Sequence, residues 1–228
     1  TIRALKMHGG VEKENLKDEN VDALKKGLVN LERHISNIKK FGLTPIVAIN
    51  SFILDTKKEI SAVKDFCKSQ NVEVSESTHW ADGGKGAKDL AKKVVKICKV
   101  SKKKNFKFLY NDNQSLWSKV ETISKEIYKA SSITADENVK NQLKIFEDNG
   151  YGKLPICIAK TQYSFSVDPK LKGAPSGHEI SIREVRLSSG AEFIVVVCGS
   201  IMTMPGLPRV PAADKIKLNK KGDIEGLF

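Results

Sequence analysis

Apolar residues recur every three or four positions at Val21, Leu24, Leu28, Leu31, Ile35 and Ile38, which predicts an amphipathic helix from Asn20 to Lys40. Asn20 suits its N-cap, and Lys39, Lys40 and Gly42 suit its end. The pattern then changes. Ile46, Val47, Ala48 and Ile49 form a short apolar run entered through Pro45, the signature of a strand buried on both faces. Polarity returns abruptly at Asn50-Ser51-Phe52, and Thr56 with Glu59 fits a capping box opening a helix over 57–69 that buries Ile60, Val63 and Cys67. A short strand at Val72–Val74, a polar loop through Gly84 and a helix over 86–99 burying Ala87, Leu90, Ala91, Val94 and Ile97 complete this part. Strands alternating with helices predict an α/β fold, a parallel sheet flanked by helices.

Beyond the basic linker Ser101–Asn105 the order differs. A strand is expected at Phe106–Tyr110, then helices over 115–130 and 136–148 and a buried strand at Leu154–Ala159. After a long loop, 164–178, the alternating Ile180–Leu187, the turn Ser188-Ser189-Gly190 and the apolar Ala191–Cys198 predict a β-hairpin. Pro205, Pro208 and Pro211 keep the segment 202–213 out of helices and inner strands. The expected organisation is an α/β part over 1–105 and a smaller α+β part over 106–228. The opening residues Thr1–Leu5 read as the tail of a strand that begins upstream, and the absence of an initial Met suggests a piece of a longer protein.

Composition changes this picture little. A formal net charge of +12 favours anionic partners, but the lysines are spread along helices and loops, and the only dense run is Lys102-Lys103-Lys104. No recognisable nucleic-acid motif accompanies them, so a specific nucleic-acid partner is not expected. No apolar run approaches the ~20 residues that span a bilayer. Cys67, Cys98, Cys157 and Cys198 are widely spaced, which favours buried free thiols in a reducing, cytoplasmic setting. No Cys/His spacing suits zinc, and no G-x-S-x-G elbow or paired-carboxylate motif is present.

The candidate chemistry lies in the loops after the strands, where open α/β sheets place ligands. Phe52 and Trp80 come from two successive loops of this kind; if these emerge at one sheet edge, the rings face each other across a slot for a flat heteroaromatic. A core position for Phe52 and a turn-capping role for Asn50 are the alternatives. Arg3, Lys6 and His8 beside Gly9-Gly10 could hold an anion. The run Gly83-Gly84-Lys85-Gly86 could present backbone amides to an anion or merely permit a turn; it is not a G-x-x-x-x-G-K-[ST] loop, and none occurs in the 228 residues. Lys160, Thr161, Gln162 and Tyr163 form another polar cluster past a strand end. His34, beside the stripe of the first helix, reads as a surface or packing residue.

Several of these stretches occur together in one family. The segments TIRALKMHGG (1–10), LERHISNIKKFGLTPIVAINSFILDT (31–56), HWADGGKGAKDLA (79–91), LPICIAKTQYSFSVDP (154–169), MTMPGLPRVPAADKI (202–216) and GDIEGLF (222–228) resemble, in order, the formate–tetrahydrofolate ligases, or 10-formyltetrahydrofolate synthetases. The resemblance covers the whole chain and implies the C-terminal portion of such a ligase. It implies a P-loop-NTPase-like fold and an ATP-dependent C–N ligase: formate is phosphorylated to formyl phosphate, and N10 of tetrahydrofolate attacks the formyl carbon. ATP with Mg²⁺, tetrahydrofolate and formate would be the ligands, with activation by a monovalent cation and a homotetrameric assembly. The pterin would lie between Phe52 and Trp80. Asn50 would contact the nucleotide base, Lys160 a phosphate, Tyr163 would stack or donate a hydrogen bond, and Arg209 would meet an anionic tail. The family's Walker A loop would lie upstream of Thr1, in a missing N-terminal part, so the 228 residues alone are expected to be inactive. A non-catalytic folate- or nucleotide-binding or assembly module is the alternative.

Overall fold

A computed structural model describes residues 1–100, 106–202 and 209–226. The chain opens with a helix, α1 (Ile2–His8), not with the expected strand tail. Thr1 caps it through a 3.1 Å bond from the Ala4 amide, and Ile2 and Lys6, four residues apart, are the buried positions. A lysine on the inward face hid this helical period. α1 lies across α2 (Val21–Lys40), whose ends match expectation: the Ala23 amide donates to Asn20 Oδ1 at 2.9 Å, and Gly42, at φ +72°, takes the left-handed turn that stops the helix.

β1 (Ile46–Asn50) and β2 (Glu73–Ser77) pair in parallel, joined through α3 (Lys57–Ser69) with its Thr56–Glu59 capping box. Ile2, Leu24, Leu28, Ile49, Ile60, Val63 and Cys67 form one core beneath them. A short helix, α4 (His79–Asp82), and a 3-10 turn lead into α5 (Lys88–Val100). The expected burial along α5 does not occur. None of its residues is buried, and Val94 and Val95 are largely exposed, because the two described strands are too narrow to cover its apolar stripe.

Residues 106–110 form no strand. Their aromatic–lysine alternation is satisfied by a surface aromatic cluster: Phe106 stacks on Phe41 and meets Phe108 edge-on, with centroids 6.3 and 5.0 Å apart. α6 (Leu116–Glu126) and α7 (Glu137–Asp148) are shorter versions of the two expected helices. Between them runs β3 (Ser132–Ala135), not anticipated from a stretch whose only large apolar residue is Ile133. With β4 (Ile156–Ala159), β5 (Glu179–Ser188) and β6 (Phe193–Cys198) it forms a mixed sheet in the order β3-β5-β6-β4. The β5–β6 pair is the predicted antiparallel hairpin, and the two outer pairs are parallel. α6 and α7 cover this sheet and enclose a second core containing Leu116, Val120, Leu143, Ile180, Ile194 and Val196. The architecture is therefore α/β, with helices flanking sheets that contain parallel pairs.

α2 also bonds to the segments around this second core. Asn37 Nδ2 donates to the Ile127 carbonyl at 3.0 Å, Asn30 Nδ2 to the Gly173 carbonyl at 2.8 Å, and Lys40 pairs with Glu126. Lysines are less uniformly solvated than their spread suggested: Lys6 and Lys119 are fully buried. The Lys119 ammonium donates to the Gly152 and Leu154 carbonyls at 2.7 and 3.1 Å, and burial lowers its pKa. All four cysteines are free, yet only Cys67 and Cys198 are buried; Cys98 on uncovered α5 and Cys157 on outer strand β4 are exposed. A small, exposed antiparallel pair, β7 (Lys217–Leu218) and β8 (Ile224–Glu225), closes the described chain. The Lys102–Lys104 run and most of the proline-rich segment, 203–208, lie outside the described residues. Among the described residues no helix is long and apolar enough to cross a membrane.

Candidate functional site

The site grows from the register of two strands. Asn50 pairs with Ser77, so β1 and β2 end level and their following loops leave the same sheet edge. The Ser51 amide donates to the Ser77 carbonyl at 3.0 Å, tying the loops together at their roots. On the first loop the Phe52 amide donates to Asp55 Oδ2 at 2.8 Å, fixing a tight turn ahead of the α3 capping box. On the second, Ser77 Oγ and His79 Nδ1 are 2.9 Å apart and Thr78 Oγ1 donates to Asp82 at 2.7 Å, which sets the start of α4. The Thr78 amide also donates to the Gly86 carbonyl at 3.1 Å. A Cβ at Gly86 would lie 2.5 Å from the Thr78 carbonyl carbon, so this glycine is required by close backbone approach.

These turns bring Phe52 and Trp80 together. Their centroids are 6.1 Å apart and their planes are inclined by 52°. Trp80 is 65% exposed, whereas Phe52 is half-buried, so the pair is a cleft with one firm wall and one open wall. Arg3 supports the firm wall: its guanidinium carbon lies 4.4 Å from the Phe52 ring centroid, a cation–π contact. Asn50 sits at the root of this cleft, and its Oδ1 is buried without a hydrogen-bond partner among the described residues.

The other predicted residues lie elsewhere. Lys160, past the end of β4, is half-buried and donates to the Thr161 and Ser166 carbonyls, each at 3.1 Å, and to the Ser164 carbonyl. Its ammonium also lies 4.8 Å from the Tyr128 ring. Burial lowers the Lys160 pKa to about 8, and burial pushes Tyr128 and Cys198 up to about 12. Tyr163 is exposed beneath the Lys172 ammonium, and Arg209 is exposed beside the undescribed segment. Lys6 does not join Arg3 and His8 around an anion. It is buried 2.9 Å from the Glu59 carboxylate. His34 packs on Phe165 with centroids 4.7 Å apart.

The family model of formate–tetrahydrofolate ligase matches residues 1–228. The chain belongs to the formate–tetrahydrofolate ligase family. A formate–tetrahydrofolate ligase from Pelagibacter ubique is 64% identical over all 228 residues, which cover 40% of that protein. Those of Ruegeria pomeroyi and Roseobacter denitrificans are 56% and 55% identical over the whole chain, covering 41% of each. The chain thus spans about two fifths of the length of these relatives. Within this portion of a ligase-family protein, the aromatic cleft joins the ends of two parallel strands to α1. Arg3 was legible as a cation near a glycine turn, but its place over Phe52 depends on how α1 packs and had no local signal.

Proposed function

We propose that these 228 residues are part of an ATP-dependent formate–tetrahydrofolate ligase and hold the pterin of tetrahydrofolate between Phe52 and Trp80. The observation that carries this reading is the aromatic pair at the level ends of β1 and β2. A heterocycle sandwiched at van der Waals contact needs about 3.5–4.0 Å on each face. The present 6.1 Å separation and 52° tilt therefore require Trp80, on its short and exposed helix, to swing outward while Arg3 keeps Phe52 in place.

The whole enzyme would be P-loop-NTPase-like, with the β1–β2 pair as part of its parallel sheet and a boundary near residue 105. Asn50 would contact the nucleotide base; its Oδ1 has no hydrogen-bond partner among the described residues but is buried, so the loop after β1 has to open for a base to reach it. Mg²⁺ would be held mainly by the ATP phosphates and water, with one or two protein ligands. Arg209 and Tyr163 are exposed and free to approach an anionic ligand, whereas Lys160 would have to exchange a carbonyl for a phosphate. Cytoplasmic location, homotetramer formation and monovalent-cation activation belong to the same reading. Without a phosphate-binding loop in its 228 residues, the chain alone binds folate and makes no 10-formyltetrahydrofolate.

Calorimetric titration with tetrahydrofolate tests the reading. Phe52→Ala and Trp80→Ala should each weaken binding roughly tenfold or more, from the ~1–3 kcal/mol that a stacked heterocycle contributes. Arg3→Ala should have a smaller effect, since a solvent-exposed cation–π contact contributes about 0.5–1 kcal/mol. Unchanged affinity in both aromatic variants overturns the pterin slot. Formyl transfer by the isolated chain overturns its dependence on other residues.

A further inference from the structure

A second cavity, of about 250 Å³, opens between the end of α1, the middle of α2 and the loop after β4. His8, Asn30, His34, Lys160, Thr161 and Gln162 contribute to its wall, and none of Arg3, Phe52 or Trp80 does. No Asp or Glu lines it among the described residues. Cations lie at it instead: Lys160 is part of the wall, Lys172 immediately precedes Gly173, whose amide meets His8, and the Arg33 guanidinium lies 5.5 Å from the ring centroid of Phe165 in the wall.

The hydrogen bonds define what each group can offer. The Gly173 amide donates to His8 Nδ1 at 3.1 Å, so a neutral His8 carries its proton on Nε2 and remains a donor. The three carbonyls around Lys160 take its three protons, so it contributes field and not a direct bond. Tyr128 and Cys198, with pKa values of about 12, stay neutral near pH 7 and add no compensating negative charge.

We propose that this cavity is a binding site for a small oxyanion, a phosphate or a carboxylate, held by His8 and His34 in the field of Lys160, Lys172 and Arg33. The site is separate from the aromatic cleft, and its existence does not depend on the folate reading. Binding takes up a proton at His34. Burial and then the Lys172 charge lower the His8 pKa; desolvation of the ring packed on Phe165 and then the Lys160 charge do the same at His34. Both histidines are therefore mainly neutral in the free protein at pH 7. His8 keeps Nδ1 as the acceptor of the Gly173 amide and donates through Nε2–H, so the proton taken up on binding goes to His34, whose pKa the bound anion raises. Affinity accordingly rises as pH falls, by up to tenfold per pH unit for the single proton taken up. Above pH 8 the loss of charge at Lys160 weakens binding further.

Titrate the 228-residue chain with inorganic phosphate and, separately, with glutarate, at pH 6 and pH 8 in constant chloride, following heat and the histidine ring proton resonances. The expected result is saturable binding of at least one of the two ions, at least tenfold tighter at pH 6, with His8 and His34 resonances shifting. The preferred ion distinguishes a phosphate source from a carboxylate source. His34→Gln and Lys172→Gln should each weaken binding severalfold; both act through solvent-accessible positions, so they report even if His8→Gln fails to fold. Absence of binding by both ions at pH 6, or affinity unaffected by both His34→Gln and Lys172→Gln, overturns the proposal.

Discussion

Replacing Glu59 with Leu should destabilise the protein by about 3–5 kcal/mol, the cost of leaving one member of a buried ion pair without its partner. The Glu59 carboxylate and Lys6 ammonium are both buried and 2.9 Å apart. Glu59 also accepts from the Asn20 amide at 3.0 Å and the Thr56 amide at 3.1 Å, so it joins the starts of α2 and α3 to α1. Lys6 has a second acceptor, the Asp18 carbonyl at 2.8 Å. The two deletions are therefore unequal. Without Glu59, a buried ammonium keeps one carbonyl and two backbone amides lose their acceptor. Without Lys6, as in Lys6→Met, the carboxylate keeps both amides and the loss is smaller. Burial alone would raise the Glu59 pKa, but the Asn20 amide, Lys6 and the Thr56 amide together bring it below the usual glutamate value. Its contribution is thus present above the ordinary carboxylate range and is lost as pH falls through the lowered folded-state value. Urea denaturation at pH 7 and pH 3 measures both effects. The double variant Lys6→Met/Glu59→Leu should recover part of the loss by removing both charges, and equal stability of wild type and Glu59→Leu would disprove the role given to the pair.

The same ion pair explains part of what the sequence concealed. Elements specified by near neighbours were readable: the period of α2, the Thr56–Glu59 capping box and the β5–β6 hairpin all depend on residues close in the chain. α1 was misread because its inward face carries Lys6, a charge whose neutralising partner is remote in sequence. Lys119 on α6 also shares a buried face, with Leu116 and Val120, but its acceptors are the Gly152 and Leu154 carbonyls and the period of α6 remained readable around it. β3 is a strand because β5, far along the chain, provides its backbone partners; its own composition carries little strand signal. α5 shows the reverse. Its amphipathic period was correct, but a period does not specify whether another surface is present to cover it.

The candidate site divides along the same line. Parallel strands with level ends must release successive loops at one edge, so the meeting of Phe52 and Trp80 could be inferred from the order of elements. The support from Arg3 and the histidine-lined cavity could not. The cavity draws on α1, α2 and the loop after β4, and only the packing of α1 and the 164–178 loop against α2 brings these segments together.

That packing depends on two glycines, Gly27 and Gly9. Gly27 on α2 faces α1 so closely that an added Cβ would stand 1.8 Å from the Leu5 carbonyl oxygen; at Gly9 the corresponding clash is 1.8 Å from the Ala23 carbonyl oxygen. The obstructing atoms are backbone, so no side-chain rotation relieves them. Intrinsic helix propensity alone would favour Gly27→Ala by about 1 kcal/mol. Overpacking is expected to outweigh that gain, for a net loss of about 1–3 kcal/mol or more. Gly190→Ala is the control, since open space surrounds that position, and its effect should remain within about 0.5 kcal/mol. The displacement also has a functional readout. α1 carries Arg3 at one end and His8 at the other, so moving it away from α2 disturbs both the backing of Phe52 and the Gly173–His8 bond. Gly27→Ala should therefore lower the urea midpoint and weaken both tetrahydrofolate and oxyanion binding, although it touches neither ligand. A Gly27→Ala protein as stable as wild type would show that α1 can shift without cost, and the close α1–α2 contact would lose its place as the support joining the cleft to the cavity.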